Sequence, residues 1–283
     1  MKQLILIADM EGTSGIFEEN RQALWHEEVF PNGRLWREYG RDCITSDVLA
    51  VCEAAKAFGI DEILLYDSHF AGCAEYNVKL EQLPSNLKPF DLPAREFHWR
   101  RIRGQAALNP FGLITVGTHA RNGEPHAYFP HTVQTPPIKE FSINGLAIGE
   151  LGIAALCFQG TPYLANIGCA ASHTEALELS AQVSCITVKD KRLGYTPTPE
   201  ETFPLIKAGV LDALNEHANK TAAAMPGPCH CSLSLTEGFH FEKPKRLSWK
   251  GRFYAKRADF KAPTLEIALE LFNFVRACIR KDQ

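Results

Sequence analysis

The sequence lacks the features of a membrane protein or a nucleic-acid-binding protein. No apolar run approaches the roughly 20 residues that a membrane-spanning helix requires. No signal peptide is recognisable, because Asp9 and Glu11 interrupt the short apolar start. The 30 Lys and Arg residues are nearly balanced by 33 Asp and Glu residues, which gives a formal net charge of -3. We therefore expect a cytoplasmic protein with no membrane partner and no nucleic-acid partner.

The signatures of several other classes are also missing. The chain has no internal repeat, no low-complexity segment, no glycine-rich phosphate loop and no Gly-x-Ser-x-Gly elbow. These absences make a nucleotide enzyme or a serine hydrolase a poor interpretation. One short basic run, Arg100, Arg101 and Arg103 beside Trp99, is more typical of a solvated or interface segment than of a nucleic-acid site.

The cysteines do not form the pattern of a disulfide-stabilised protein. There are nine of them, an odd number, scattered along the whole chain. Most lie in apolar segments, as Cys52, Cys157, Cys185 and Cys278 do. This distribution favours buried free thiols in a reducing compartment.

Short apolar runs alternate with amphipathic segments over the first two-thirds of the chain. The apolar runs predict buried strands at 3–8, 62–66, 112–117, 163–167 and 184–188. The amphipathic segments predict helices at 35–58, 150–159 and 174–181. This alternation predicts an α/β fold in layers, with a largely parallel sheet flanked by helices.

The pattern changes near residues 193–199, where Gly194 and Pro197 interrupt it. Thr198 and Pro199 form an N-cap and first-turn pair for a helix that runs to about residue 220. A strand is predicted at 229–236, and a last amphipathic helix at 263–280. We therefore predict an α/β metal-binding catalytic domain over 1–195 and a smaller α+β C-terminal subdomain over 196–283.

Polar side chains follow the first three predicted strands, at the edge of the sheet where α/β proteins bind ligands. Asp9 and Glu11 follow the first strand, His69 the second and His119 the third. Residues i and i+2 of an extended chain point to the same side, and two such carboxylates repel unless a cation lies between them. Carboxylates with imidazoles suit zinc, with manganese or cobalt as alternatives. Helix-capping acids and hydrogen-bonded histidines remain the simpler alternatives.

Two further acids are ambiguous from spacing alone. Glu150 begins a predicted helix after the Asn144-Gly145 turn, where the helix dipole also favours an acid. Asp67 either orients a histidine ring or caps a helix.

Five short motifs occur in order along the chain: Asp9-Met10-Glu11-Gly12, Asp67-Ser68-His69, Gly117-Thr118-His119-Ala120, His131-Thr132, and Asn144-Gly145 followed by Gly149-Glu150. Together they resemble the zinc-dependent D-aminopeptidase family of bacterial dipeptide-transport operons. The resemblance implies that two zinc ions are bound by Asp9, Glu11, His69, His119 and Glu150, with Asp9 bridging them. It also implies short peptide substrates with an amino-terminal D-residue, and a homo-oligomer in the form of a ring-shaped decamer.

The sequence departs from the family pattern at Gly168-Cys169-Ala170, where Gly-Asp-Asp is usual. A family member with a proposed catalytic cysteine has that cysteine just before the His-Thr pair. In this sequence Pro130 precedes His131, so no thiol is available there. We therefore expect metal-bound hydroxide to attack the scissile carbonyl of the peptide. His131 is the predicted catalytic residue, a carrier of a proton to the leaving amine, with a structural hydrogen bond as the alternative. A dinuclear phosphoesterase and a catalytically inactive peptide-binding homologue remain alternative functions.

Overall fold

The computed structural model describes residues 1–18, 22–23, 35–69, 76–90, 103–133, 135–243 and 251–282, and the predicted basic run at Arg100 and Arg101 lies outside them. The α-helices of this part of the chain are α1 (Arg41–Phe58), α2 (Glu150–Cys157), α3 (His173–Leu179), α4 (Pro199–Asn215) and α5 (Leu265–Arg276). Its strands are β1 (Gln3–Ala8), β2 (Glu62–Asp67), β3 (Leu87–Pro89), β4 (Gly112–Thr118), β5 (Ile138–Ile143), β6 (Leu146–Ala147), β7 (Tyr163–Cys169), β8 (Ser184–Lys189), β9 (Cys229–Leu235), β10 (Phe239–Phe241), β11 (Gly251–Phe253), β12 (Arg257–Ala262) and β13 (Ile279–Lys281).

The larger sheet is parallel throughout and has the strand order β3-β2-β1-β4-β7-β8. All five strands predicted from apolar runs in the first two-thirds of the chain belong to it, so the predicted α/β fold is confirmed. Strand β3 was not predicted, because three residues at the sheet edge carry too little apolar pattern. β1 lies at the centre with β2 and β4 on either side, and its six residues are all buried.

Helices cover both faces of this sheet, as the buried runs require. On one face, Leu6 of β1 shares a core with Val48 of α1 and Val210 of α4. On the other face, Ile5 of β1 belongs to a second core that includes Phe272 of α5. Because successive strand residues point to opposite faces, β1 contributes to both cores. This double burial keeps the strand ends in fixed positions.

A second sheet has the order β11-β12-β9-β5-β6 and is antiparallel. Burial alternates along β9, where Cys231 and Leu233 are buried and His230 is exposed. Such alternation is typical of a sheet with one face on the core. The buried face meets α5, and Phe141 of β5 packs against Phe272.

Sheet membership does not follow the predicted boundary between 1–195 and 196–283. Strands β5 and β6, from the first segment, pair with β9 in the second sheet. Helix α4, from the second segment, packs against α1 on the parallel sheet. Local patterning fixes the type of an element but not its partner, so a boundary near residue 195 stays a prediction.

Helix ends follow local chemistry. Thr198 caps α4 in a capping box with Glu201, as the N-cap prediction required. Gly59 ends α1 with a φ of 86°, a left-handed conformation that suits glycine. The prediction that α5 reaches residue 280 was wrong, because Ile279–Lys281 pairs with β10 as strand β13.

Burial of the cysteines is largely as expected. Eight free cysteines lie in the described part of the chain, and seven of them are buried. Cys185 was expected to be buried and is exposed, because β8 is an edge strand whose first residues are open to solvent. None of the helices described is long and apolar enough to span a membrane.

Candidate metal centre

The predicted acids and histidines come together at the carboxyl edge of the parallel sheet. Asp9 and Glu11 follow β1, and the adjacent strands β2 and β4 lead to His69 and His119. In the register, Ala8 at the end of β1 lies beside Asp67 and Val116. Three neighbouring strands therefore deliver polar side chains to one place, as the sequence predicted.

Two glycines allow the loops after β1 and β4 to touch. A Cβ on Gly12 would lie 1.7 Å from the carbonyl oxygen of Thr118, and one on Gly117 would lie 1.9 Å from that of Asp9. The Gly12 N–H donates to the Gly117 carbonyl at 2.7 Å, and the Asp9 N–H donates to that of Val116 at 2.8 Å. These main-chain bonds hold the acidic loop against the loop that carries His119.

His69 faces both acids of the β1 loop. Its Nδ1 lies 2.9 Å from Glu11 Oε2 and 3.5 Å from Asp9 Oδ1. Its Nε2 lies 2.8 Å from the carbonyl oxygen of Ala23, an atom that can only accept a hydrogen bond. Nε2 therefore carries a proton, and in the neutral ring the lone pair of Nδ1 points at the carboxylates.

His119 and His131 are held in the same way. The Nδ1 of His119 bonds to the carbonyl oxygen of Ala120 at 2.9 Å, and that of His131 bonds to the carbonyl oxygen of Phe129 at 3.0 Å. Both Nε2 atoms turn inward, to 3.8 Å and 3.9 Å from Glu150 Oε2. The His119 Nε2 is buried and has no hydrogen-bond partner among the described residues. An orphaned nitrogen of this kind, aimed at carboxylates, fits a metal ligand.

Glu150 reaches the cluster from the first turn of α2. A second glutamate, Glu175 of α3, accepts hydrogen bonds from the N–H groups of Gly149 at 2.6 Å and Gly152 at 2.9 Å. Glu175 thereby satisfies the free donors at the start of α2 and fixes the direction in which Glu150 projects. The Glu150 side chain is 20% exposed, against 6% or less for Asp9 and Glu11, so the cluster opens towards solvent at Glu150.

The pKa shifts in the cluster indicate that its buried carboxylates require positive charge nearby. Burial, followed by repulsion from Glu11, raises the pKa of Asp9 to about 7. Burial opposes ionisation of Glu11 too, but His69 and the other facing histidines hold the pKa of Glu11 well below its usual range. Against burial, the nearby carboxylates of Glu150 and Asp9 raise the pKa of His119 to about 10. The buried carboxylates are compensated by ring protons or by a bound cation.

The donor atoms cluster in two groups that share His119. Asp9, Glu11 and His119 form one, and His119, His131 and Glu150 form the other, with the ligand atoms of each group within 4.8 Å of one another. Carboxylate oxygens with imidazole nitrogens suit zinc. The residues present therefore fit a metal centre.

Comparison with known proteins places the chain in a family. The model of the peptidase M55 family, described as D-aminopeptidase, matches residues 1–274. The chain belongs to the peptidase M55 family. Membership confirms the predicted family and an aminopeptidase-type hydrolase. No curated protein matches the sequence significantly.

The fold of this M55 chain is also that of a solved structure. It is similar to the "Zn-dependent D-aminopeptidase DppA from Bacillus subtilis, a self-compartmentalizing protease", with a TM-score of 0.75. The match covers 98% of this chain and 97% of that one at 20% sequence identity. At this identity the likeness establishes the fold alone.

Asp67 has neither of the two roles that the sequence predicted for it. Among the residues that the structure describes, Asp67 makes no hydrogen bond to a histidine ring and caps no helix. It accepts hydrogen bonds from Asn77, through the main-chain N–H at 2.6 Å and Nδ2 at 2.8 Å. Asn77 Nδ2 also donates to the His69 carbonyl oxygen at 2.5 Å. Asp67 therefore orients His69 through its main chain, which spacing alone does not reveal.

Proposed function

We propose that this M55 chain is a zinc-dependent aminopeptidase that holds two zinc ions and removes an amino-terminal D-residue from short peptides. The observation that carries the proposal is the pair of donor groups sharing His119 in a buried, carboxylate-rich cluster. The family description and the zinc dependence stated for the structurally similar DppA support it. The family also argues against the phosphoesterase alternative.

Asp9, Glu11, His69, His119 and Glu150 would hold the two ions. Asp9 would contribute a carboxylate oxygen to each, because its Oδ1 faces His69 and its Oδ2 faces His119. Bound zinc supplies Lewis acidity for the scissile carbonyl and lowers the pKa of water to around 7. The rings of His69 and His119, each fixed by a main-chain carbonyl, would keep the donor set in place when substrate arrives.

His131 would move the proton. Burial, followed by the neighbouring His119, lowers the pKa of His131, so its ring is neutral near pH 7 and able to accept a proton at Nε2. That atom faces Glu11 and Glu150 at 3.8 Å and 3.9 Å. His131 would take the proton that the attacking water loses and would pass it to the leaving amine, which departs as a neutral group. Substrate would approach from the side of Glu150, the most exposed member of the cluster.

We further propose a cytoplasmic homo-oligomer closed into a ring of ten subunits, as the family resemblance implies. The support is that the structurally similar DppA is described as self-compartmentalizing. Light scattering on the purified protein should give a mass several-fold above that of the 31.5 kDa chain. A monomer at working concentration would overturn this part of the proposal.

A hydrolysis panel tests the activity. Purified protein is incubated with D- and L-aminoacyl amides and dipeptides, with and without a chelator, and its metal content is measured. We expect about two zinc ions per chain and cleavage of D-residue substrates that the chelator abolishes. Cleavage that survives chelation would overturn the metal mechanism, whereas a metal-loaded protein inert to every peptide would favour the inactive peptide-binding alternative.

A further inference from the structure

A fully buried lysine lies beside the metal cluster but outside it. Lys189 ends strand β8, and its side chain is inaccessible to solvent. Its Nζ donates to the carbonyl oxygens of Glu11 and Ile16, each at 2.5 Å. A buried ammonium is costly unless it is hydrogen-bonded, so these contacts are a requirement of the fold. Both bonds end on the β1 loop, which we define as residues 9–17.

Aromatic rings surround the same ammonium. The Lys189 Nζ lies 5.5 Å from the ring centroids of Phe17 and Tyr128 and 5.3 Å from that of Phe129, within the range of cation–π attraction. Phe17 ends the β1 loop. Tyr128 and Phe129 belong to residues 128–131, which we name the His131 loop. Lys189 is therefore in contact with both loops at once.

Each loop carries a functional side chain close to its contact with the lysine. The carbonyl that accepts from Lys189 in the β1 loop is that of Glu11 itself. In the His131 loop, the carbonyl of Phe129 holds Nδ1 of His131 at 3.0 Å. A shift of either contact moves a group that faces the metal cluster.

We propose that Lys189 is a positioning residue that fixes the β1 loop against the His131 loop, so that Glu11 and His131 face one metal centre. The inference rests on the proposed function. Lysine suits the task because its ammonium is a compact charge with three donors. Two donors bind carbonyls of one loop, while the charge attracts rings from both loops. Without it, the two carbonyls lose their donor and the rings lose their common partner.

Cobalt titration of the metal-free protein tests the proposal. Lys189→Met keeps the length and the apolar stem but removes the charge and the donors. The control is Lys220→Met, since the Lys220 side chain is 5% exposed and donates at 2.7 Å to Ser184, the first residue of the same strand. We expect Lys189→Met to weaken cobalt binding about 10–100-fold and to change the visible spectrum of bound cobalt. Lys220→Met should keep the wild-type affinity and spectrum.

The outcomes separate the proposal from a general loss of stability. Wild-type cobalt affinity and spectrum in Lys189→Met, or equal weakening in both variants, would overturn it. Should Lys189→Met fail to fold, Phe17→Leu removes one ring from a half-buried position and should weaken binding about 2–5-fold. An unchanged affinity in that variant would also overturn the proposal. A wild-type protein that binds no cobalt would contradict the proposed function itself.

Discussion

The rings of His119 and His131 stack face to face, with centroids 3.9 Å apart and an interplanar angle of 11°. Their electrostatic settings are opposite. Acidic neighbours raise the pKa of His119, whereas burial and His119 lower that of His131. Two titratable groups whose pKa values are pushed apart suit different tasks. We therefore propose that His119 binds metal and that His131 transfers the proton.

The first prediction separates those tasks. His131→Ala should lower kcat by about 10²–10⁴-fold while metal content stays at the wild-type level, because a proton carrier is lost and the ligand set is intact. His119→Ala should instead lose metal, since His119 belongs to both donor groups. Steady-state kinetics and elemental analysis of both variants check this. Near-normal turnover of fully loaded His131→Ala would refute its role, and loss of metal would make it a ligand.

The second prediction concerns zinc and stability. Zinc at about 100 times its Kd should stabilise the fold by about 2.7 kcal/mol and raise the Tm by about 4–5 °C. Asp9→Asn should make the metal-free protein more stable and should reduce the stabilisation by zinc. At pH 8 its metal-free form should melt above the metal-free wild type, because it lacks a buried carboxylate whose pKa is raised to about 7. Zinc should then raise the Tm of Asp9→Asn only slightly. Thermal melts of the variant and the wild type, with zinc or with chelator, measure this.

The third prediction is a pH dependence that comes from Glu175. Burial raises its pKa to about 7 from 4.5. Between these values the folded state holds a proton that the unfolded state releases, so stability falls as pH rises from 4.5 to 7. The fall amounts to about 3 kcal/mol at most. Glu175→Gln has no proton to lose, and urea unfolding of metal-free protein should show a flatter profile for it. Parallel profiles for the variant and the wild type would contradict this.

The fourth prediction tests the close approach of the β1 and β4 loops. Gly12→Ala should destabilise the protein by about 3 kcal/mol or more, because the new Cβ would meet the Thr118 carbonyl. It should also weaken zinc binding, since Glu11 is the adjacent residue. Gly104→Ala is the matched control, because no atom lies within 4 Å of its added Cβ. It should leave stability unchanged or raise it by about 0.4–1 kcal/mol. Equal melting temperatures for the two variants would be the contrary result.

The sequence predicted those parts of the site that follow from strand ends. Asp9, His69 and His119 could be placed together because apolar runs mark buried strands, and parallel strands end at one edge. Glu150 came only through the family resemblance, since an acid in a first helical turn has an ordinary explanation. Glu175, which fixes the start of α2, gives no pattern because its partners are main-chain N–H groups.

Contacts between distant segments were beyond prediction from the sequence. Lys189 ends an apolar strand, where a lysine normally extends into solvent, and its carbonyl partners lie in the β1 loop. The pairing of β5 with β9 was missed for a related reason. A strand of six residues shows its burial pattern but not its neighbour, and the antiparallel sheet is built from such pairs.

Elements from the first 195 residues pack against elements from the last 88, and this has a consequence during protein synthesis. Phe141 of β5 is fully buried in the finished protein, but β9 (Cys229–Leu235) leaves the ribosome much later. At bacterial and eukaryotic elongation rates the delay is on the order of ten seconds. Helix α4, which packs against helix α1 in the folded protein, is likewise synthesised much later than α1. We therefore expect the nascent chain to expose apolar surface until residues 229–235 emerge, and a product truncated at residue 195 to aggregate.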